Sequence, residues 1–198
     1  ILPAREDVQR IKSSSGYRNI KLDFDKRTIC FEKPGLRIDL GALAKGYALD
    51  KIVMILRKGQ IQKAEVNLGG NIYTLDKEPR EIGVRNPIAD NEIITAVRLM
   101  NASISTSANY ERNFTIGDKK FGHLLNPLTG YPADSDILSA SVISSDAALA
   151  DALSTAIFVM GFDKAKQLLE DSSGIEAIII HKAGFMNRLK VFQLKGGL

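Results

Sequence analysis

The chain of 198 residues is 44% hydrophobic and 25% charged, which is typical of a single soluble globular domain, and we expect one domain over residues 1–198. Its 27 basic and 23 acidic side chains leave a net charge of +4 without a long basic run, so the charge gives no support for a nucleic-acid partner. No apolar run approaches the ~20 residues of a transmembrane helix, so we expect no transmembrane segment.

The N-terminal part of the sequence predicts a helix, a β-hairpin and a second helix. Apolar residues three positions apart predict a short helix within residues 3–15. Alternating apolar and polar residues in 19–24 and 27–32 predict the two strands of a hairpin. From Leu43 to Leu56 the apolar residues follow the 3.6-residue period of a helix, which a lysine and a glycine then end.

The remaining sequence predicts mostly strands, with two further helices. The expected strands cover residues 64–68, 71–75, 81–85, 93–100, 137–144, 175–181 and 188–194. A hairpin tip is expected at 117–120. The expected helices cover 146–160 and 163–169, the first with Ser144 or Ser145 as its N-cap. Hairpins with a few inserted helices indicate an α+β fold of antiparallel sheets with packed helices.

Cys30 is the single cysteine of the chain and lies in a strand-like run. One thiol cannot form an internal disulfide, and no spacing of cysteine and histidine typical of a metal site occurs. We expect Cys30 to be a buried packing residue.

The segment Asp39-Leu-Gly-Ala-Leu-Ala-Lys-Gly46 turns on a glycine and opens the second helix. Backbone N–H groups at a helix start and the ammonium group of Lys45 would both favour an anion such as phosphate. The spacing matches neither G-x-x-x-x-G-K-[ST] nor G-x-G-x-x-G, so it predicts neither a P-loop nor a Rossmann site. Tight packing of small residues at a strand-to-helix turn is the alternative explanation.

Two further segments carry groups suited to chemistry. Asp151 and Thr155 lie four residues apart on a predicted helix, so one face presents a carboxylate and a hydroxyl, which are hard oxygen donors that magnesium accepts. The alternative is a solvated aspartate beside a threonine that hydrogen-bonds its own helix. His123 opens an Asn-Pro turn and is a candidate general base or phosphate partner, unless it is an ordinary loop histidine. His181 ends a strand, where we expect no role.

Five segments in this order resemble the FAD:protein FMN transferases of the ApbE family. They are Asp-Leu-Gly-Ala-Leu-Ala-Lys-Gly at 39–46, Asn-Leu-Gly-Gly-Asn at 67–71, Ser-Thr-Ser-Ala-Asn-Tyr-Glu-Arg at 105–112, His-Leu-Leu-Asn-Pro-Leu-Thr-Gly at 123–130 and Asp-Ala-Leu-Ser-Thr-Ala at 151–156. Each segment is weak alone, but all five in register are specific. The resemblance implies an α+β fold related to the tunnelling fold, with FAD held in a cleft.

The resemblance also implies an activity. The enzyme would use Mg²⁺ to transfer FMN from FAD to a threonine hydroxyl of an acceptor protein, releasing AMP. Such acceptors are typically membrane redox subunits, which implies a location in the bacterial periplasm or on the outer side of the inner membrane. Two alternatives stay open: an FAD pyrophosphatase that gives FMN and AMP, and a flavin-binding module without turnover.

Site residues follow from the same resemblance. By this resemblance, Asp39, Lys45, Leu125 and Ser154 would contact FAD. The carbonyl of Ala42 and the side chains of Asp151 and Thr155 would bind magnesium. His123 would be the base that acts on the acceptor hydroxyl. Asn71 and Asn126 stand where aspartate is common in the family, and the resemblance leads us to expect that the family's N-terminal region is missing before Ile1.

Overall fold

The computed structural model describes residues 3–108, 113–116, 119–183 and 188–196. Its helices are α1 (Arg5–Ser14), α2 (Ala44–Lys58), α3 (Ala147–Met160) and α4 (Phe162–Glu170). Its strands are β1 (Ile20–Asp23), β2 (Thr28–Phe31), β3 (Ala64–Leu68), β4 (Asn71–Leu75), β5 (Arg80–Arg85), β6 (Ile93–Leu99), β7 (Ala102–Ala108), β8 (Asn113–Ile116), β9 (Lys119–Gly122), β10 (Ile137–Ser144), β11 (Glu176–Ala183) and β12 (Arg188–Lys195). None of these helices combines the length and the apolar character needed to cross a bilayer.

A central antiparallel sheet organises the described part of the chain. Its strand order is β12-β11-β10-β7-β4-β3, and three antiparallel two-stranded hairpins accompany it: β1-β2, β5-β6 and β8-β9. In the middle of the sheet Ala140 lies opposite Ser107 on one side and Ile179 on the other. This order places the serine-rich strand β7 next to β10, the strand that leads into α3.

Both faces of the sheet are covered. On β11, Ala177 and Ile179 pack into a cluster with residues of α3 and α4, whereas Ile178 and Ile180 pack against the β5-β6 hairpin. This division follows because successive side chains of a strand point to opposite faces. A strand covered on both sides reads as a continuous apolar run, which is the pattern of β11.

The starts of α2 and α3 approach each other closely. A Cβ atom added to Gly46 would lie 2.1 Å from the carbonyl oxygen of Ala147 and 2.8 Å from Cα of Ala148. Leu49 and Val53 continue the contact along α2, in a cluster that includes Ala147 and the β3-β4 hairpin. Glycine is required at position 46 because the two backbones leave no room for a side chain.

The predicted α+β class with antiparallel sheets and packed helices is confirmed, and each predicted element has a counterpart with ends shifted by a few residues. Gly117 and Asp118 of the expected hairpin tip lie outside the described residues, although the flanking strands β8 and β9 pair. The predicted N-cap of α3 was wrong. Asp146 caps this helix, accepting from Leu149 N at 2.8 Å, while Ser144 ends β10 and accepts from Asp146 N.

The prediction that Cys30 is buried was also wrong. Cys30 is exposed and lies opposite Lys21 in the β1-β2 hairpin. All four residues of β2 are exposed. An alternating pattern predicts a strand, but exposure depends on whether another layer covers it, and these two strands form a sheet of their own.

Candidate active site

A tight turn leads into α2. The carboxylate of Asp39 accepts a hydrogen bond from Gly41 N at 2.7 Å, and the Leu40 carbonyl accepts from the N–H groups of Leu43 and Ala44. An aspartate that binds the backbone two residues ahead favours a turn over a continued strand. The turn therefore ends the extended segment and fixes where the first turn of α2, with Lys45, begins.

The buried carboxylate of Asp151 lies at the start of α2. Its side chain is 5% exposed; Oδ2 accepts from Gly46 N at 2.9 Å, and Oδ1 lies 3.5 Å from Nζ of Lys45. An N–H group that the sequence predicts as part of a phosphate site thus binds the protein's own carboxylate. The Lys45 side chain is 44% exposed, so its ammonium group can still reach a ligand.

The start of α3 is bound in return by α2. Oδ1 of Asp50 accepts from Ala147 N and Oδ2 accepts from Ala148 N, each at 2.9 Å. The first N–H groups of a helix have no partner within the helix, so carboxylates placed there are stabilising. Each helix therefore supplies a carboxylate to the start of the other, which fixes Asp151 relative to Lys45.

Hydroxyl groups surround the next turn of α3. Thr155 lies one turn beyond Asp151, and its Oγ1 is 2.9 Å from Oγ of Ser107 on β7. Ser107 Oγ is also 2.9 Å from Oγ of Ser154, which is fully buried. The sequence points to the serine-rich segment of β7 as part of a family motif. It does not predict that Ser107 contacts α3, because Ser107 and Thr155 are 48 residues apart in the chain.

The loop that carries His123 is held by Asn126. Its side-chain oxygen accepts from Leu128 N at 2.9 Å, and its backbone carbonyl accepts from Gly130 N at 2.7 Å. Lys12 of α1 also binds the carbonyl of Leu128. The neutral amide of asparagine therefore provides the turn hydrogen bond at this position without the charge of an aspartate.

These elements enclose a cavity of about 910 Å³, within the size range of small-molecule sites. Its lining includes Asp39, Ala42, Lys45, His123, Leu125, Asp151 and Thr155. Every predicted site residue except Ser154 therefore lines one cavity, and Ser154 lies beneath it, bonded to Ser107. Gly69, Thr106 and Ser107 also line the cavity and had no assigned role. Residues 109–112 of the serine-rich segment lie outside the described residues.

The donors at this cavity suit a hard divalent cation. No three side chains of His, Cys, Asp or Glu converge anywhere in the described ranges. The cavity instead offers the side chains of Asp151 and Thr155, which lie four residues apart on α3, and Ala42 is also in its lining. One carboxylate with neutral oxygens fits Mg²⁺, which completes its shell with waters and substrate phosphates.

The second histidine lies elsewhere. His181 Nε2 is 2.7 Å from Oδ2 of Asp136, and the ring packs edge-on against Phe162 and Phe192. None of these residues lines the cavity. His181 therefore has a structural partner, and His123 is the histidine at the cavity.

Sequence comparison identifies relatives across most of the chain. Residues 1–179 match the model of the ApbE family. The chain is 35% identical over 182 residues to the FAD:protein FMN transferase of Klebsiella pneumoniae, covering 91% of this chain and 57% of that protein. It is 33% identical over 190 residues to the FAD:protein FMN transferase of Treponema pallidum, covering 85% of this chain and 52% of that protein. The chain thus spans about half the length of the curated relatives it matches.

The fold matches solved structures as well. The ApbE protein of Thermotoga maritima superposes with a TM-score of 0.86 at 32% identity, covering 98% of this chain and 62% of that one. The flavinyl transferase ApbE of Pseudomonas stutzeri, in its apo form, superposes with a TM-score of 0.81 at 26% identity, covering 98% and 60%. With a family match over most of its length and the same fold around its cavity, this chain belongs to the ApbE family.

Proposed function

We propose that this protein transfers FMN from FAD to a threonine hydroxyl of an acceptor protein, with Mg²⁺, and releases AMP. The observation that supports this best is that a buried carboxylate, a lysine and a histidine line the same cavity. The names of the relatives, FAD:protein FMN transferase, support the substrate and the transfer.

The start of α2 would hold the pyrophosphate of FAD. Lys45 supplies a cation that can move from its 3.5 Å contact with Asp151 toward a bound phosphate. Asp39 stands at the same cavity with one carboxylate oxygen fixed by Gly41 N, leaving the other for a polar group of the ligand. Leu125, 57% exposed, gives the cavity an apolar edge near His123, and its backbone would contact FAD. Ser154 would need to act from beneath the cavity wall.

Ala42, Asp151 and Thr155 would hold Mg²⁺, through a backbone carbonyl, a carboxylate and a hydroxyl. When bound, the cation would offset the charge of the pyrophosphate, which otherwise repels a nucleophile. The hydrogen bond from Gly46 N holds Asp151 Oδ2 in place, so Oδ1, the atom facing Lys45, is the oxygen left for the cation.

His123 would take the proton of the acceptor threonine. The threonine oxygen attacks the phosphorus of the FMN half, the bond to the AMP half breaks, and AMP leaves with the bridging oxygen. A hydroxyl is a poor nucleophile at neutral pH, so a positioned imidazole contributes on the order of 10²–10⁴ in rate. His123 lines the cavity, and Asn126 fixes the loop that carries it.

The acceptor and the location of the reaction follow from the resemblance alone. We infer an acceptor of the membrane redox type and a site of action on the outer side of the inner membrane. Flavinylated proteins recovered from fractionated cells, with and without this gene, test both proposals.

The test of the activity is the intact mass of a threonine-containing acceptor, with AMP assayed in the same reaction. The protein in its full natural length is incubated with FAD, Mg²⁺ and the acceptor. An added FMN mass with equal AMP is the expected result. AMP with an unmodified acceptor would make the protein an FAD pyrophosphatase, and bound flavin without AMP would make it a binding module.

A further inference from the structure

Three hydroxyl groups from two elements form a chain at the wall of the cavity. Ser107 Oγ lies between Ser154 Oγ and Thr155 Oγ1, 2.9 Å from each. Ser107 and Thr155 line the cavity, and Ser154 is fully buried. The proposed function assigns a role to Thr155 and none to Ser107.

The direction of each hydrogen bond in this chain follows from counting protons. A hydroxyl has one proton to donate, and a carbonyl can only accept. Ser154 Oγ donates to the Asp151 carbonyl at 2.8 Å, so it must accept from Ser107. Ser107 has then used its only proton, so its other contact is one in which it accepts from Thr155.

We propose that Ser107 is a positioning residue that holds Thr155 as an oxygen ligand for the divalent cation. By accepting the Thr155 proton, Ser107 turns that proton away from the cavity and leaves the lone pairs of Thr155 Oγ1 for a cation. This inference rests on the proposed function, because it concerns the cation of the same site.

Two physical effects favour this arrangement. A hydroxyl that donates a hydrogen bond becomes a better electron donor through its own oxygen, and a one-way chain strengthens the effect. The orientation is also formed before any ligand arrives. Ser107 is fixed opposite Ala140 in the sheet, and the start of α3 is fixed by Asp50. Thr155 therefore needs no rotation when a cation binds.

The test replaces Ser107 and measures cation binding directly. Mn²⁺ is titrated against the wild-type protein, Ser107→Ala and Ser107→Cys in the presence of FAD, and free Mn²⁺ is followed by electron paramagnetic resonance. We expect both variants to bind Mn²⁺ about 10-fold or more weakly, since groups that orient metal ligands are typically worth 10–100-fold. Cysteine has nearly the volume of serine, but its thiol is only a weak hydrogen-bond donor and acceptor. The cysteine variant therefore removes the hydrogen bonds without the cavity that alanine would leave.

Ser105→Ala is the matched control. Ser105 lies two residues earlier on the same face of β7, and its Oγ has no hydrogen-bond partner among the described residues. We expect its Mn²⁺ affinity to equal that of the wild type. A second check adds Ser107→Ala to Thr155→Val: if Ser107 acts through Thr155, the added change weakens binding no further.

The outcomes separate this inference from the proposed function. Unchanged Mn²⁺ affinity in both Ser107 variants, or fully additive losses with Thr155→Val, would overturn the role of Ser107 while wild-type FMN transfer still stands. A wild-type protein that neither binds Mn²⁺ nor releases AMP would overturn both.

Discussion

Asp50 and Asp151 each bind the start of the helix that carries the other. Asp50 on α2 accepts from the first two N–H groups of α3, and Asp151 on α3 accepts from Gly46 N in the first turn of α2. Gly46 of α2 and Ala147 of α3 contact each other at the helix starts. Asp50 lies four residues after Gly46, and Asp151 lies four residues after Ala147. The two helix starts therefore form a reciprocal pair, and the site carboxylate is part of it.

Gly46→Ala tests the close contact in this pair. The new Cβ would lie 2.1 Å from the Ala147 carbonyl oxygen, so one helix must move. We expect the free energy of unfolding, measured in urea, to fall by roughly 3 kcal/mol. The control is Gly59→Ala at the end of α2, where φ is −78° and the nearest atom to the new Cβ is 3.5 Å away. A loss for Gly46→Ala no larger than the control's would contradict the close contact.

Asp50→Ala tests the other half of the pair. Two N–H groups of α3 lose their acceptor, and we expect the free energy of unfolding to fall by about 2 kcal/mol. The proposed FMN transfer should fall as well, because α3 carries the proposed cation ligands Asp151 and Thr155. Glu65→Gln, at an exposed position on β3, is the control and should leave both measurements unchanged. Full stability in Asp50→Ala would mean that water replaces the carboxylate without cost.

The sequence predicts the secondary structure well where the information is local. The helical period between Leu43 and Leu56 predicts α2, and the alternation in 19–24 and 27–32 predicts the β1-β2 hairpin. Exposure of Cys30 was missed because burial depends on layers formed by distant segments. The N-cap of α3 was missed because serine and aspartate are both good N-caps, and Ser144, Ser145 and Asp146 are adjacent in the sequence. The residue type alone therefore could not show at which of these positions the helix begins.

The residues of the site could be predicted from the sequence, but the hydrogen bonds between them could not. Five motifs in family order name most of the cavity lining, including Asp151 and His123. The bonds that make the site rigid join Gly46 to Asp151, 105 residues apart, and Asp50 to Ala147, 97 residues apart. No local pattern reports such pairs, so the reciprocal capping and the role of Ser107 required the folded chain.

The acid sensitivity of the fold should depend on Asp76, which lies away from the cavity. Burial acts to raise the pKa of this carboxyl group, but hydrogen bonds from Arg80 and from the N–H groups of Glu78 and Lys77, with the charge of Lys63, together hold its pKa below the usual 3.8. A lowered pKa in the folded state stabilises the protein above pH 3.8, and this contribution is lost as the pH falls through the folded-state pKa.

The measurement is urea unfolding of the wild type and Asp76→Asn across acidic pH. The variant should be less stable at neutral pH, and the difference should shrink steadily below pH 3.8. A difference that is independent of pH would show that the ion pairs of Asp76 are not the cause.

Asp151→Asn separates the two roles of Asp151. The amide oxygen can still accept from Gly46 N, so the helix pair should survive and the melting temperature should change little. The lost charge removes the proposed cation ligand, and we expect Mg²⁺-dependent AMP release to fall by ~100-fold or more. Asp146→Asn is the control: Asp146 caps the same helix, is exposed and does not line the cavity. Full turnover in Asp151→Asn would refute the metal assignment.

The two histidines provide a matched pair for the transfer step. His123 lines the cavity, whereas His181 is bonded to Asp136 at 2.7 Å and does not line it. We expect His123→Ala to slow FMN transfer on the order of 10²–10⁴-fold while FAD affinity, measured by flavin fluorescence, stays near the wild-type value. His181→Ala should lose some stability and keep its turnover. If the two variants transfer FMN at the same rate, His123 is not the base of the proposed transfer.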